Sequence, residues 1–362
     1  MYDSVKEILP AYNLLYISAF LACVLLIISF DIKKVYYKKY DFLVGCFIII
    51  GLTYLFGSRD FSVGTDTPRY LMAFQFIWRT DSFSEAIISP FVARDPYFNG
   101  ISYLFSKVVD IRGYFYVLAF LLVAPLFCAA YRMTNVNRSL VLVAFMSLFC
   151  IPNFGVNIMR NGLSLSFAIL AITYLKDNKL KIGIAIASIS VAFHLSSIVI
   201  FFMYVLSSFI KNKWYVLPVF FGSIFLALLK KGLKDLPIIG GIVRNQERLM
   251  AYNQEGGGIS SLPLSYLLMH LATVAFALYL STVIKDKFYH KLTITYMLLS
   301  SFYFLTSTMA FSYRFGILAW VLTPIILIYP LMTYRIFKRF QFTKLLGVIF
   351  VLALFSLYIL NI

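Results

Sequence analysis

The stretch 56–74, FGSRDFSVGTDTPRYLMAF, leaves a run of almost pure hydrocarbon and at once offers Arg59, Asp60, Asp66, Arg69 and Tyr70. Two further arginines stand where charge is costly. Arg160, followed by Asn161, lies in NFGVNIMRNGLSLSF beside an apolar run, and Arg314, preceded by Tyr313, lies in AFSYRFGILAW between two such runs. Charge so near hydrocarbon must face a cavity or a partner, or snorkel to the interface. Arginine brings a specific capacity, because its planar fork holds phosphate or carboxylate through two parallel hydrogen bonds. His194 lies near the middle of the long apolar run 182–210. Imidazole titrates nearest neutrality and suits proton transfer, although a histidine there also serves as a hydrogen-bonded packing residue. Asp66 reads equally well as a helix cap or as the partner of an arginine. His270, within a span, and His290, in a loop, are weaker candidates. No CxxC or His-x-x-His spacing occurs, and Cys23, Cys46, Cys128 and Cys150 lie inside hydrophobic runs as small apolar residues. Neither a metal ion nor another cofactor is expected.

A membrane scaffold must position these residues. The chain has 362 residues, of which 61% are hydrophobic and only 13% charged, a composition no soluble domain of this length shows. The net charge of +17 is explained by loops that set orientation, and no nucleic-acid module is recognisable, so no nucleic-acid partner is expected. MYDSVKEILPAY offers neither the basic start nor the cleavage site of a secretory signal, so the first helix is expected to stay. A hydrocarbon core of roughly 30 Å needs about 20 apolar residues per helix. Candidate spans are 11–30, 41–57, 113–131, 139–154, 158–175, 214–230, 264–284, 292–311, 315–333 and 344–361. The run 182–210 reads best as two short helices meeting near His194, with one long tilted helix as the alternative.

The fold class is therefore an all-α polytopic membrane protein of about twelve segments, within bounds of ten to thirteen, forming one domain over 1–362. Six positive loops, from Lys33–Lys39 to Arg335–Lys344, fall on one side, which is expected to be the cytoplasm. Both termini then face outward, and Lys230, Lys231 and Lys234 sit on the outer side against the rule. Two long outer loops remain, 58–112 and 231–263. The first is expected to carry short interfacial helices over 66–79, opened by Asp66 and Thr67 with Pro68 in the first turn, and over 96–109. The second contains NQEGGGISS, a candidate lid.

In this topology lysine and arginine separate. The inner loops hold fourteen Lys and four Arg. The outer face holds five Lys and nine Arg: Arg59, Arg69, Arg79, Arg94, Arg112, Arg160, Arg244, Arg248 and Arg314. Lysine suffices for orientation, so an outer face that prefers the fork indicates an anion to hold there. Pairing with Asp60, Asp95 or Glu247 is the simpler explanation for individual members.

Several stretches, in order, carry a family resemblance. An arginine shortly precedes GTDTPRY (Gly64–Tyr70), followed by DPYFNGISYLF (95–105), MRNGLSLSFAI (159–169), SVAFHLSSI (190–198) and SYRFGILA (312–319). Over roughly residues 50–320 this resembles the EpsG branch of the Wzy polysaccharide polymerases, a family that builds O-antigen or capsule. The GTDT–Tyr box is the more specific motif. The RN and HLSS boxes gain weight from their order, and Asp95-Pro96 is compatible with an acid-Pro pattern.

The resemblance implies a glycosyltransferase of the bacterial plasma membrane that needs no metal and has its active site on the outer or periplasmic face. Its substrate would be an oligosaccharide on undecaprenyl pyrophosphate, its setting the lipid bilayer, and its companions a flippase and a chain-length regulator. Such chemistry needs cations on the departing pyrophosphate and a base for the acceptor hydroxyl. On that implication Arg160 and Arg314 bind pyrophosphate, with Arg59 a third candidate, and Asp66 or His194 is the base. Arg69, Tyr70, Asn161 and Tyr313 complete the substrate-binding set, and Tyr97, Tyr103 and Tyr252 are further candidates for stacking on sugar rings. A ligase for finished glycan would share the donor, the leaving group and these arginines. A flippase would instead call for charges deep in the spans and an internal repeat, and the sequence shows few of the former and no clear instance of the latter.

Overall fold

The structure, a computed structural model, describes residues 5–33, 35–88, 95–235, 262–309, 312–336 and 341–361. Arg94, Arg244, Glu247, Arg248, Tyr252 and the NQEGGGISS stretch lie outside the described residues. Among the described residues every regular element is helical. The chain divides into two compact units, Met1–Ile198 with Leu331–Ile362, and Val199–Pro330.

The first unit opens with α1 (Leu9–Lys33) and α2 (Lys38–Ser58). Twenty-five residues give α1 a length of about 37 Å, enough to cross a hydrocarbon core. Along α1, Leu14, Ile17, Leu21, Leu25, Ile28 and Ile32 recur at helical spacing and are all exposed. A stripe of that size is costly against water and natural against lipid. The outer-loop helices follow: α3 (Thr67–Arg79), α4 (Phe83–Ile88) and α5 (Pro96–Ser106). Proline stands in the first turn of both α3 and α5, where its missing N–H costs nothing. The long α6 (Ile111–Met133) starts at Asp110, whose carboxylate accepts the Gly113 N–H at 2.7 Å as an N-cap.

The single span expected over 139–154 is instead two short helices, α7 (Arg138–Met146) and α8 (Ile151–Val156). Nearly every residue from Ser139 to Val156 is buried, because α7 packs among α1, α2, α6 and the C-terminal helix. A segment enclosed on all sides is apolar all round, which reads in sequence like a lipid-facing span. Pro152, without an N–H, suits the start of α8 after the turn. Asp41 anchors this segment at its other end. Buried on α2, it accepts the N–H groups of Arg138 at 2.9 Å and Ser139 at 3.0 Å and the hydroxyl of Tyr36 at 2.7 Å, capping α7 from a neighbouring helix.

Next come α9 (Met159–Lys176) and α10 (Leu180–Phe193), packed on each other, and α9 also packs on α6. The helical path then breaks at His194, whose backbone is extended. The HLSS and LSLS serines explain why a break is tolerated. Ser164 and Ser197 both donate to the His194 carbonyl at 3.2 Å, and Ser190 donates to the Ser164 carbonyl at 2.7 Å. Backbone groups freed in an apolar setting must find such partners.

The second unit holds α11 (Ile198–Leu206), α12 (Leu217–Leu228), α13 (Leu264–Val283), α14 (Lys287–Thr306), α15 (Tyr313–Trp320) and α16 (Thr323–Thr333). Here α14 is central, with α12, α13 and α15 packed on it. Its own core is polar in one place. The His270 ring accepts the Trp320 indole N–H through Nε2 at 2.9 Å, and its Nδ1 lies 2.8 Å from the Ser300 hydroxyl. His270 is thus a satisfied packing residue, and the proton belongs on Nδ1. The C-terminal α17 (Gln341–Asn361) returns to the first unit against α1.

Among the described residues, six helical stretches are long and apolar enough to cross a membrane: Leu9–Ile32, Lys38–Ser58, Ile111–Met133, Leu264–Val283, Tyr313–Thr333 and Gln341–Leu360. The chain is a membrane protein, all-helical among the described residues. Shorter apolar helices at Leu180–Phe193, Leu195–Leu206 and Lys213–Leu228 account for other runs that read as spans.

Candidate functional site

The site in the first unit is organised by the GTDT box. Gly64 has φ +96°, a conformation that side chains disfavour, and a Cβ there would lie 2.3 Å from Val156 Cγ1. This close approach lets the loop after α2 lie against the α8–α9 junction. Asn157 is the receiving residue: its side-chain oxygen accepts the Thr65 N–H at 2.8 Å, and its carbonyl accepts the Tyr70 hydroxyl at 3.2 Å. Thr67, fully buried, donates to the Val156 carbonyl at 3.4 Å. On the other side of the junction Gly162 lets α9 approach α8, since a Cβ would meet that of Phe154 at 2.6 Å. The box is therefore a lock that seats α3 against the first turn of α9, where Arg160 lies.

Arg160 reaches Asp95, the residue before α5, at 2.5 Å between Nη1 and Oδ2. His194 reaches the same carboxylate oxygen through Nδ1 at 3.2 Å. The three belong to three separate elements: the start of α5, the start of α9 and the break after α10. Burial alone would raise the Asp95 carboxyl, but the His194 hydrogen bond and the charge of Arg160 outweigh it and hold Asp95 below the usual carboxylate range. Asp95 is thus ionised at neutral pH. Arg160 also interacts with the Tyr70 hydroxyl, and burial pushes that phenol up, so Tyr70 stays a neutral partner. Phe98, one turn into α5, packs its ring on Tyr70 and on Phe193, which closes the apolar floor beneath the cluster. Asn161 accepts the Ser196 hydroxyl at 3.3 Å and ties α9 to the turn after His194.

The other expected residues divide by position. Arg59 is buried. It donates to the Phe56 carbonyl and, through Nη2, to Thr67 Oγ1 at 3.4 Å, and its guanidinium stacks on Phe115. Burial lowers it to about 10, still protonated at neutral pH. Arg112 donates to the Gly57 and Arg59 carbonyls at 3.1 and 2.6 Å. Two cations thus satisfy the last carbonyls of α2, where a helix C-terminus favours them. Asp66 stands at the N-cap position of α3 without capping it, and pairs with Arg69 at 3.5 Å. Arg69 is 79% exposed, so this pair contributes at most about 1 kcal/mol. Tyr97 is 70% exposed at the start of α5, whereas Tyr103 donates to the Asp81 carbonyl at 2.8 Å and carries Lys107 over its ring. Tyr313 and Arg314 form the first turn of α15 in the second unit, with Arg314 Nε 3.5 Å from the Tyr313 hydroxyl.

The structure therefore brings Arg160, His194, Asn161 and Tyr70 into one neighbourhood and adds Asp95 at its centre. Sequence reasoning treats Asp95 as a pairing partner or an acid-Pro motif. No spacing rule connects it to partners 65 and 99 residues away.

A charged, partly open cluster on an all-helical membrane scaffold defines the class: a membrane protein with a polar site beside apolar helices. The EpsG family model matches residues 42–361, nearly the whole chain, and the protein belongs to the EpsG family, whose members resemble the Wzy polysaccharide polymerases. Neither the curated proteins nor the solved structures offer a match.

Proposed function

We propose that this protein is a polymerase that lengthens a surface polysaccharide on the outer face of the bacterial plasma membrane. The growing glycan leaves its undecaprenyl pyrophosphate carrier and joins the sugar of an incoming lipid-linked repeat unit. In this reading the chain makes about twelve crossings with both termini outward, and the loop 58–112 covers the site. Arg160 carries pyrophosphate, aided by the positive end of α9.

The observation that carries the reading is the Arg160–Asp95–His194 cluster. Asp95 accepts Nδ1–H of His194 and so leaves the lone pair on Nε2, the arrangement of a base held by an orienting carboxylate. His194 Nε2 takes the acceptor hydroxyl proton as its oxygen bonds to the anomeric carbon. The bond from that carbon to the pyrophosphate oxygen breaks, and the electron pair leaves with the pyrophosphate. Fixed arginine donors stabilise the charge that develops there without a metal ion. Tyr97, exposed beside Asp95, is placed to stack on a sugar ring.

The test is a gel of surface glycan from cells lacking the chain beside the wild type. Single repeat units in place of a ladder support polymerisation. Loss of even single units, with lipid-linked units trapped inside, refutes it in favour of a flippase. A normal ladder retained on its lipid carrier refutes it in favour of a ligase.

A further inference from the structure

One carboxylate oxygen serves two masters in the cluster. Asp95 Oδ2 holds both Arg160 Nη1 and His194 Nδ1. The Arg160 contact is the shorter by far, 2.5 against 3.2 Å, so in this state the guanidinium neutralises the carboxylate that orients the imidazole. The cluster is also reachable: the side chains of Arg160, Asp95 and His194 are 29%, 19% and 27% exposed.

We propose that the Arg160–Asp95 pair is a latch that a diphosphate opens, so that the base is switched on by the arrival of its own leaving group. This rests on the polymerase reading and deepens it. A diphosphate carries more charge than one carboxylate and offers oxygens at the spacing of the guanidinium fork, so it draws Arg160 away from Asp95. The released carboxylate keeps the hydrogen bond to His194 Nδ1 at 3.2 Å. A bare carboxylate at hydrogen-bond distance favours the imidazolium, so Nε2 becomes a stronger base once the donor is seated. Without the diphosphate, Arg160 stays on the carboxylate oxygen that orients His194, and the acceptor hydroxyl is left unactivated.

The surroundings leave few other charges to do this. From α9, Ser164 presents only a hydroxyl, directed at the His194 carbonyl, and Asn161 is bound to Ser196. From α10 and the following turn come Ser190 and Ser197, both buried hydroxyls. Tyr70 on α3, and Asp66 just before it, act on Arg160. Opening the latch therefore changes the charge facing His194 mainly through Asp95.

The experiment uses the full-length protein in lipid nanodiscs with isotope-labelled histidine. The chain has 3 His, so the His194 signal is assigned by its loss in His194→Gln. Its titration is followed by NMR with and without inorganic pyrophosphate, and binding is measured in parallel by calorimetry. The expected result is a rise of about 1 pH unit or more in the His194 midpoint when pyrophosphate binds. Asp95→Asn should bind pyrophosphate and lose most of that rise. Arg160→Gln should show a raised midpoint without pyrophosphate and no further response, which gives a second reading if Asp95→Asn fails to fold. An equal rise in Asp95→Asn, or binding without a rise in the wild type, overturns the latch while the anion site stands. Absence of pyrophosphate binding overturns the latch and the polymerase assignment of Arg160 together.

Discussion

Replacing Gly64 with alanine should undock the outer loop without unfolding the protein. The new Cβ meets Val156 Cγ1 at 2.3 Å and Asn157 Oδ1 at 2.7 Å, both below any tolerated contact. At φ +96° the alanine backbone adds strain of about 1–3 kcal/mol, and the overpacking adds about 1–3 kcal/mol more. What holds the loop down locally is a short set of bonds: Thr65 N–H and Tyr70 hydroxyl to Asn157, and Thr67 to Val156. At roughly 0.5–1.5 kcal/mol each, they sum to about the same few kcal/mol. Lifting the loop therefore costs no more than bearing the strain, whereas global unfolding of a membrane bundle costs far more. The assay is hydrogen exchange across 60–70 in detergent, with the glycan gel beside it. Exchange should quicken there, the ladder should shorten or vanish, and helices such as α6 should exchange as in the wild type. Gly222→Ala is the control, since nothing lies within 4 Å of a Cβ there. Unchanged exchange over 60–70 in Gly64→Ala would refute the claim that this glycine seats the loop.

Three further outcomes are expected. Arg160→Lys keeps the charge and loses the fork, so polymer should fall on the order of 100-fold at normal protein levels, read from the ladder against a blot. Asp66→Asn removes the pair with the exposed Arg69 and a weaker charge effect on Arg160, so melting should change by less than about 1 kcal/mol equivalent and the ladder should persist. Loss of the ladder with unchanged melting would make Asp66 the base. Because the Asp95 carboxyl is lowered in the fold, its contribution to stability is present above its unfolded value near 3.9 and is lost as pH falls through the folded value. The melting difference between wild type and Asp95→Asn should therefore be largest at neutral pH and shrink below about pH 4.

The parts legible in the sequence were those decided by local physics. Long apolar runs such as 11–30 have one economical reading, and α1 and α2 follow it. Asp66-Thr67-Pro68 marks a helix start because proline tolerates only the first turn, and α3 begins at Thr67. The excess length of 182–210 pointed to a break, and the chain is extended at His194. Legibility failed where enclosure imitates lipid. Residues 139–154 are apolar because protein surrounds them, and hydropathy cannot tell protein from hydrocarbon. Arg59 shows a related limit: its contacts to the Phe56 carbonyl and to Thr67 join the end of α2 to the GTDT box, and no local pattern announces them. The convergence on Asp95 was out of reach because it depends on how α5, α9 and α10 pack, through contacts far apart in the chain.

The most direct measurement is reconstitution of the purified protein in vesicles with lipid-linked repeat units, following glycan length and released undecaprenyl pyrophosphate together, with a chelator present throughout. The expected result is a ladder in which each new link releases one undecaprenyl pyrophosphate, abolished in His194→Gln and in Arg160→Lys. Lipid-linked units that stay single in the presence of folded wild-type protein would contradict the account.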